Sequence, residues 1–112
     1  MSPITTHILD THRGCPAQDV PIQLLMLRDG AFQLLAEGRT DDDGRIKDLL
    51  EPGTLQVGTY QMRFDTGAYH ASLGIQGFYP EAVITFTVNA PSEHYHIPLL
   101  LSPFAYSTYR GS

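Results

Sequence analysis

Apolar and polar residues alternate with a period of two along much of this chain, and no other feature constrains its fold as strongly. Tyr60, Met62 and Phe64 are separated by polar residues, and residues 84–89 repeat the pattern. Successive side chains of a strand point to opposite faces, so this spacing is typical of half-buried antiparallel strands. The alternation therefore predicts a framework of β-sheets.

Frequent turn signals divide the chain into about eight short strands, the first of them at residues 4–10. Asp29-Gly30 separates residues 22–28 from 32–36 as the turn of a hairpin does. Ser102-Pro103 separates residues 97–101 from 105–109 in the same way. Residues 66–73 instead predict a short helix that begins at Asp65 or Thr66 and ends at Gly74. The pattern predicts an all-β protein, either a two-sheet antiparallel sandwich or a barrel.

Composition limits the classes of function and location. The 112 residues predict a single domain over 1–112, and 42% hydrophobic residues are ordinary for a globular chain. A net charge of −5 with seven Lys and Arg argues against a nucleic-acid partner. Cys15 is the only cysteine, which excludes an intrachain disulfide. No signal peptide or membrane-spanning segment is visible, so we expect a cytoplasmic protein unless a leader has been removed.

Two predicted strands are apolar on both faces, namely residues 22–27 and 97–101. In a two-layer sandwich one face of each sheet should be in contact with water. Apolar residues on an outer face favour an oligomer, and the alternative is a cover formed by a loop of the same chain.

Two histidines lie two residues apart in a predicted strand. His94 and His96 therefore share one face, where they can bind a metal or divide acid and base roles. Such a pair on its own is also common on protein surfaces without a role. Zinc would need a third ligand, and no Cys or carboxylate cluster stands at suitable spacing. A metal site is therefore weakly supported.

Other candidates are equally open to a structural interpretation. His7 lies in an apolar strand and could be a core-edge histidine, and Arg45 follows a glycine turn and could be solvated. An Arg fork also suits a carbonyl or carboxylate ligand. His12 and His70 are expected at the surface. The run 41–43 of aspartates predicts a solvated turn, since it is too short for a calcium loop of the EF-hand type.

Several segments taken together resemble the transthyretin family, in its transthyretin-related branch of 5-hydroxyisourate hydrolases. They are residues 5–11, 14–17, 40–45, 78–81, 94–103 and 106–112. The resemblance runs from end to end in consistent order, and the terminal Tyr109-Arg110-Gly111-Ser112 is its most specific part. Cys15 stands where a variable residue is expected, and this departure affects nothing catalytic.

The resemblance implies a transthyretin-like sandwich of eight strands with one short helix, assembled as a homotetramer that is a dimer of dimers. It implies hydrolysis of 5-hydroxyisourate to 2-oxo-4-hydroxy-4-carboxy-5-ureidoimidazoline in urate degradation, without metal or cofactor. The active sites would lie between the dimers. The implied catalytic residues are His7, Arg45, His96 and Ser112, and the implied substrate-binding residues are His7, Arg45, Tyr109 and Arg110.

These residue types suit that chemistry. A histidine pair can supply a base and an acid near neutral pH, and Arg45 can stabilise charge that develops on oxygen. Tyr109 and Ser112 can orient the heterocycle through hydrogen bonds. Whether His7 or His96 is the base stays open. The alternatives are a carrier of small ligands of the transthyretin type and a metal-dependent hydrolase that uses His94 and His96 with His7.

Overall fold

Two four-stranded sheets and one short helix form the framework of the computed structural model, which describes residues 1–112. The strands are β1 Ile4–Asp10, β2 Cys15–Pro16, β3 Pro21–Arg28, β4 Ala31–Arg39, β5 Gly58–Phe64, β6 Ala82–Val88, β7 Tyr95–Ser102 and β8 Ala105–Thr108, and the helix is α1 Thr66–Ser72. The strand orders are β2-β1-β7-β8 and β4-β3-β5-β6. The predicted all-β sandwich with eight strands and one short helix is confirmed.

One pairing differs from the expected antiparallel arrangement. β1 runs parallel to β7, with Ile4 beside Tyr95 and Asp10 beside Leu101. The other pairs of neighbouring strands are antiparallel. β1 and β7 come from opposite ends of the chain, so no hairpin turn dictates their relative direction. The predicted antiparallel sandwich therefore contains one parallel pair, at the centre of the first sheet.

The alternation places one face of each sheet in a common core. Ile4 and Ile8 of β1 are fully buried, as are Met62 and Phe64 of β5. Burial of each such side chain contributes roughly 1.5–3 kcal/mol, which fixes the register of the strands. The opposite face of β1 then carries Thr5 and His7, both half-buried.

A local irregularity in strand pairing explains why β3 has buried apolar residues on both of its faces. Its pairing with β4 shifts register between Leu24 and Leu25, so that Leu24, Leu25 and Met26 are all buried within one chain. A bulge of this kind interrupts strict alternation. The burial of Leu25 therefore needs no second chain.

The helix α1 is capped as expected, because the Asp65 carboxylate accepts a hydrogen bond of 3.0 Å from the Ala68 amide. No helix of this fold is both long and apolar enough to cross a membrane. The expectation that His70 lies at the surface was wrong, since only 2% of it is exposed. His12 is exposed, as predicted.

Candidate active site

A groove of about 540 Å³ opens on the outer face of the first sheet. Its lining residues are Met1, Thr5, Thr6, Arg45, Ile46, Lys47, Asp48, His94, His96 and Ser112. Three of the predicted catalytic residues, Arg45, His96 and Ser112, therefore meet although they are far apart in the chain. We call this space the catalytic groove.

β7 and β1 together orient the ring of His96. The parallel register places Thr5 of β1 beside His96, and the Thr5 hydroxyl lies 2.8 Å from Nδ1 of the imidazole. Nε2, the other ring nitrogen, makes no hydrogen bond and stays open to solvent. One nitrogen is thus engaged by the protein while the other is free to act on a ligand.

The C-terminal tail reaches His96 by continuing the pairing of β8. Leu99 pairs with Thr108, and the same register carried three residues further pairs His96 with Gly111. The Gly111 amide donates a hydrogen bond of 2.9 Å to the His96 carbonyl. A Cβ at position 111 would lie 2.5 Å from Cδ2 of the His96 ring, so only glycine allows this approach. The packing brings Ser112 into the catalytic groove.

A tight turn positions Arg45 against β1. Asp41 accepts hydrogen bonds at Oδ1 from the amides of Asp43, at 2.9 Å, and Arg45, at 3.1 Å. Gly44, directly before Arg45, has a φ of 75°, and its carbonyl accepts a hydrogen bond of 2.9 Å from the Ile8 amide. Arg45 then pairs with His7 as an isolated bridge. The aspartate run is therefore a turn, as predicted, and its function is to place Arg45.

Burial and the positive charge of Arg45 favour the neutral form of both candidate histidines. Burial lowers the pKa of His96, and Arg45, His94 and His7 lower it further, against an opposing hydrogen bond with the Thr5 backbone. Burial and then Arg45 lower the pKa of His7, against the effects of Asp43 and Asp41. Because the usual histidine pKa is about 6.5, both imidazoles are mainly neutral near neutral pH. A neutral imidazole is the form that can accept a proton.

Two predicted substrate contacts lie beside the catalytic groove instead of in its wall. The guanidinium carbon of Arg110 lies 4.5 Å from the Tyr95 ring centroid, and Nη2 lies 3.7 Å from a carboxylate oxygen of Glu93. Tyr109 borders an adjoining cavity of about 240 Å³ that His96 also lines. These contacts fasten the tail to β7, while the proposed contacts of Tyr109 and Arg110 with substrate stay predictions.

The geometry does not assemble the metal site considered from the sequence. The facing ring nitrogens of His94 and His96 both contact the Thr5 hydroxyl, at 2.9 and 2.8 Å, so this hydroxyl occupies the point on which they converge. The only set of three or more potential ligand atoms within 4.8 Å of one another belongs to residues 41–43. A metal ligated by His94, His96 and His7 therefore lacks support.

Lys47 and Thr5 are among the groove residues that the sequence analysis missed. Lys47 lies two residues after Arg45 and lines the same groove, beside the carboxylate of Asp48. Thr5 contacts two histidines through its hydroxyl. The alternation of β1 placed Thr5 on the face of His7, but only the parallel pairing with β7 reveals these contacts.

Comparisons with known proteins agree with the motifs. The HIUase/Transthyretin family model matches residues 4–111. The 5-hydroxyisourate hydrolase of Mus musculus is 43% identical, over 99% of this chain and 96% of that relative. The solved 5-hydroxyisourate hydrolase of Klebsiella pneumoniae superposes with a TM-score of 0.83 at 37% identity, covering 97% of this chain and 92% of that one. Sea bream transthyretin, solved in complex with thyroxine, gives 0.92 at 34% identity, covering 98% and 95%.

Proposed function

The chain belongs to the HIUase/Transthyretin family, and from that premise we propose that it is the enzyme that hydrolyses 5-hydroxyisourate. The product would be 2-oxo-4-hydroxy-4-carboxy-5-ureidoimidazoline. In this reaction the oxygen of water bonds to a carbonyl carbon of the six-membered ring. The ring bond from that carbon to nitrogen breaks, and the nitrogen takes up a proton. The reaction therefore needs a base, a group that stabilises an oxyanion and a proton donor.

The observation that carries the proposal is the convergence of His96, Arg45 and Ser112 on one groove. We assign His96 as the base that deprotonates water, because its Nε2 is free and its pKa is lowered. The Arg45 guanidinium stabilises the charge that develops on the carbonyl oxygen. Arg45 lies close enough to lower the pKa values of both His96 and His7.

His7 supplies the second titratable group. Its pairing with Arg45 places it next to the same guanidinium, and its lowered pKa makes a protonated His7 a stronger acid. The proton that His96 removes from water is delivered to the leaving nitrogen by His7 after it has reached that ring, so both imidazoles are neutral before and after the reaction. Ser112 offers a hydroxyl at the groove wall, where it can accept a hydrogen bond from a ring N–H group of the substrate.

We propose in addition that the enzyme is a homotetramer with its sites between dimers. β6 and β8 are each one of the two edge strands of their sheets, and such edges can pair with another chain. Phe78 and Phe104 are 68% and 71% exposed, which is unusual for phenylalanine outside an interface. The mass of the particle in solution, measured by light scattering, tests this assembly.

A small-ligand carrier is the second candidate, favoured by the high structural similarity to sea bream transthyretin. Fold alone does not set function, however, and the contents of the groove argue for catalysis. A carrier of a hydrophobic ligand has no use for two neutral histidines beside an arginine.

The deciding experiment adds the protein to freshly generated 5-hydroxyisourate and follows the ultraviolet absorbance of the substrate. We expect decay faster than the spontaneous rate for wild type and for His12→Asn, a control at an exposed histidine outside the groove. Loss of the acceleration in His96→Asn alone supports the assignment. No acceleration by the wild-type protein, together with saturable binding of thyroxine, would favour the carrier.

A further inference from the structure

The hydroxyl of Thr5 lies between two imidazoles. Its Oγ1 is 2.8 Å from Nδ1 of His96 and 2.9 Å from Nε2 of His94. The two rings are nearly parallel, with an angle of 20° and centroids 6.3 Å apart. His94 is exposed, whereas His96 is half-buried beneath the tail. The three residues form a short chain of hydrogen bonds from solvent to the wall of the catalytic groove.

A threonine hydroxyl has one proton and two lone pairs, so it donates in at most one of these contacts and accepts in at least one of them. If it donates to His96, Nδ1 of that ring is bare and its proton lies on Nε2. If it donates to His94, Nδ1 of His96 carries the proton and Nε2 has a free lone pair. The direction of this one hydroxyl therefore determines which nitrogen of His96 is basic.

We propose that Thr5 is a positioning residue, which accepts a hydrogen bond from Nδ1 of His96 and so keeps Nε2 free as the base in the groove. The Thr5 hydroxyl then donates to Nε2 of His94, whose other nitrogen is protonated. This inference rests on the proposed function for its kinetic consequences, but the tautomer itself can be measured without substrate.

The proton balance favours this direction. When Nε2 of His96 takes a proton from water, both nitrogens of the ring carry hydrogen, and Nδ1–H must donate. The Thr5 hydroxyl already accepts from it in the proposed arrangement, so no group has to turn during the reaction. In the opposite arrangement Nε2 is already protonated, and His96 cannot act as a base there.

The groups around His96 are consistent with a neutral resting ring. Arg45 approaches from the turn, His7 from β1 and His94 from the position just before β7, and each disfavours a positive charge on His96. A hydrogen bond with the Thr5 backbone is the one effect that favours the protonated ring, and burial and the three positive neighbours outweigh it.

The direct test is nitrogen NMR of the imidazoles at about pH 7.5, above the usual histidine pKa. We expect wild-type His96 to carry its proton on Nδ1, and Thr5→Ser to keep that tautomer. In Thr5→Val, which removes the hydroxyl but keeps a β-branched side chain, Nε2–H should become populated. A wild-type His96 protonated on Nε2 would overturn the proposal, whatever the variants do.

Kinetics give a second test. Thr5→Val should lower kcat roughly 10- to 100-fold with little change in KM, as when an orienting partner of a functional histidine is removed. Thr5→Ser should restore most of the activity. Thr59→Val, at a half-buried strand position of the other sheet, is the matched control and should stay active. Full activity of Thr5→Val would contradict the assignment.

A double-mutant cycle tests whether Thr5 and His94 act as one unit. In His94→Phe the Thr5 hydroxyl loses its acceptor and turns to His96, which moves the His96 proton to Nε2 and lowers kcat. In a Thr5→Val background the same change should cost little more. Equal losses in both backgrounds would show that His94 acts independently of Thr5. If the wild type fails to hydrolyse 5-hydroxyisourate, the proposed function fails, while the NMR result still decides the tautomer.

Discussion

Adding one methyl group at Gly111 should displace the His96 ring while leaving the fold intact. The new Cβ of Gly111→Ala would lie 2.5 Å from Cδ2 of His96 and 3.3 Å from Cγ of Pro98, whereas ordinary contacts are 3.4–4 Å. Relief requires the ring or the tail to move by about 1 Å, and a misplacement of that size can cost about 10²-fold in rate. We therefore expect kcat/KM to fall by about two orders of magnitude, equivalent to about 2.7 kcal/mol of transition-state stabilisation.

The stability of Gly111→Ala should change much less than its activity. Loss of the Gly111–His96 backbone hydrogen bond would cost about 0.5–1.5 kcal/mol. The lower entropy of an unfolded alanine chain offsets about 0.4–1 kcal/mol of that loss. The control is Gly38→Ala in β4, where an added Cβ meets only Ile46 at ordinary distances of 3.5 and 3.8 Å.

The assay pairs substrate decay with thermal unfolding for wild type, Gly111→Ala and Gly38→Ala. The reasoning predicts a large loss of turnover in Gly111→Ala alone, at a melting temperature within a few degrees of wild type. Wild-type turnover in a folded Gly111→Ala protein would refute the claim that the tail positions His96.

Four further predictions follow from the site and the core. His96→Asn should reduce turnover by about 10²–10⁴-fold in the absorbance assay, with the oligomer mass unchanged. As the pH is lowered, turnover should fall only below about pH 6.5, because the pKa values of His96 and His7 lie below the usual histidine value and the base stays neutral above them. A pH–rate profile in which turnover already falls between pH 8 and pH 7 would contradict this prediction. Removal of residues 110–112 should abolish most turnover at little hydrophobic cost, and unchanged turnover in a folded tetramer would exclude the tail from the site. His70→Leu should raise the free energy of unfolding, measured with urea, by up to about 1–3 kcal/mol, because both ring nitrogens of this buried histidine lack hydrogen-bond partners. The gain should be larger at acid pH, because burial lowers the pKa of His70.

The sign of the His70 effect follows from its environment. Burial lowers its pKa, so the folded state binds fewer protons than the unfolded state as pH falls below 6.5. The contribution of the neutral ring to stability is therefore present above that pH and lost as the pH falls through the lowered folded-state pKa. A gain for His70→Leu that is the same at all pH values would show that the ring is not forced to titrate during unfolding.

Local patterns predicted those parts of the fold that depend on neighbouring residues. The hairpin of β3 and β4 follows from Asp29 and Gly30, both at positive φ, and α1 follows from the Asp65 cap. The parallel pairing of β1 and β7 could not be predicted in this way, because alternation places a residue on a face but says nothing about which strand lies beside it. The mistake over His70 has the same origin, since its burial depends on how α1 packs.

The candidate site illustrates this limit further, because the properties of its residues come from pairings that no single segment contains. Alternation put His94 and His96 on one face, but both are held by Thr5, which lies 89 and 91 residues earlier in the chain. A tight turn brings Arg45 to His7. Its glycine, Gly44, packs so closely against β1 that an added Cβ would lie 2.5 Å from the Ile8 carbonyl oxygen. The resemblance to the family predicted these residues as one set, although they come from distant parts of the chain. The role that we infer for Thr5 required the register of β1 against β7, from which its position between two histidines follows.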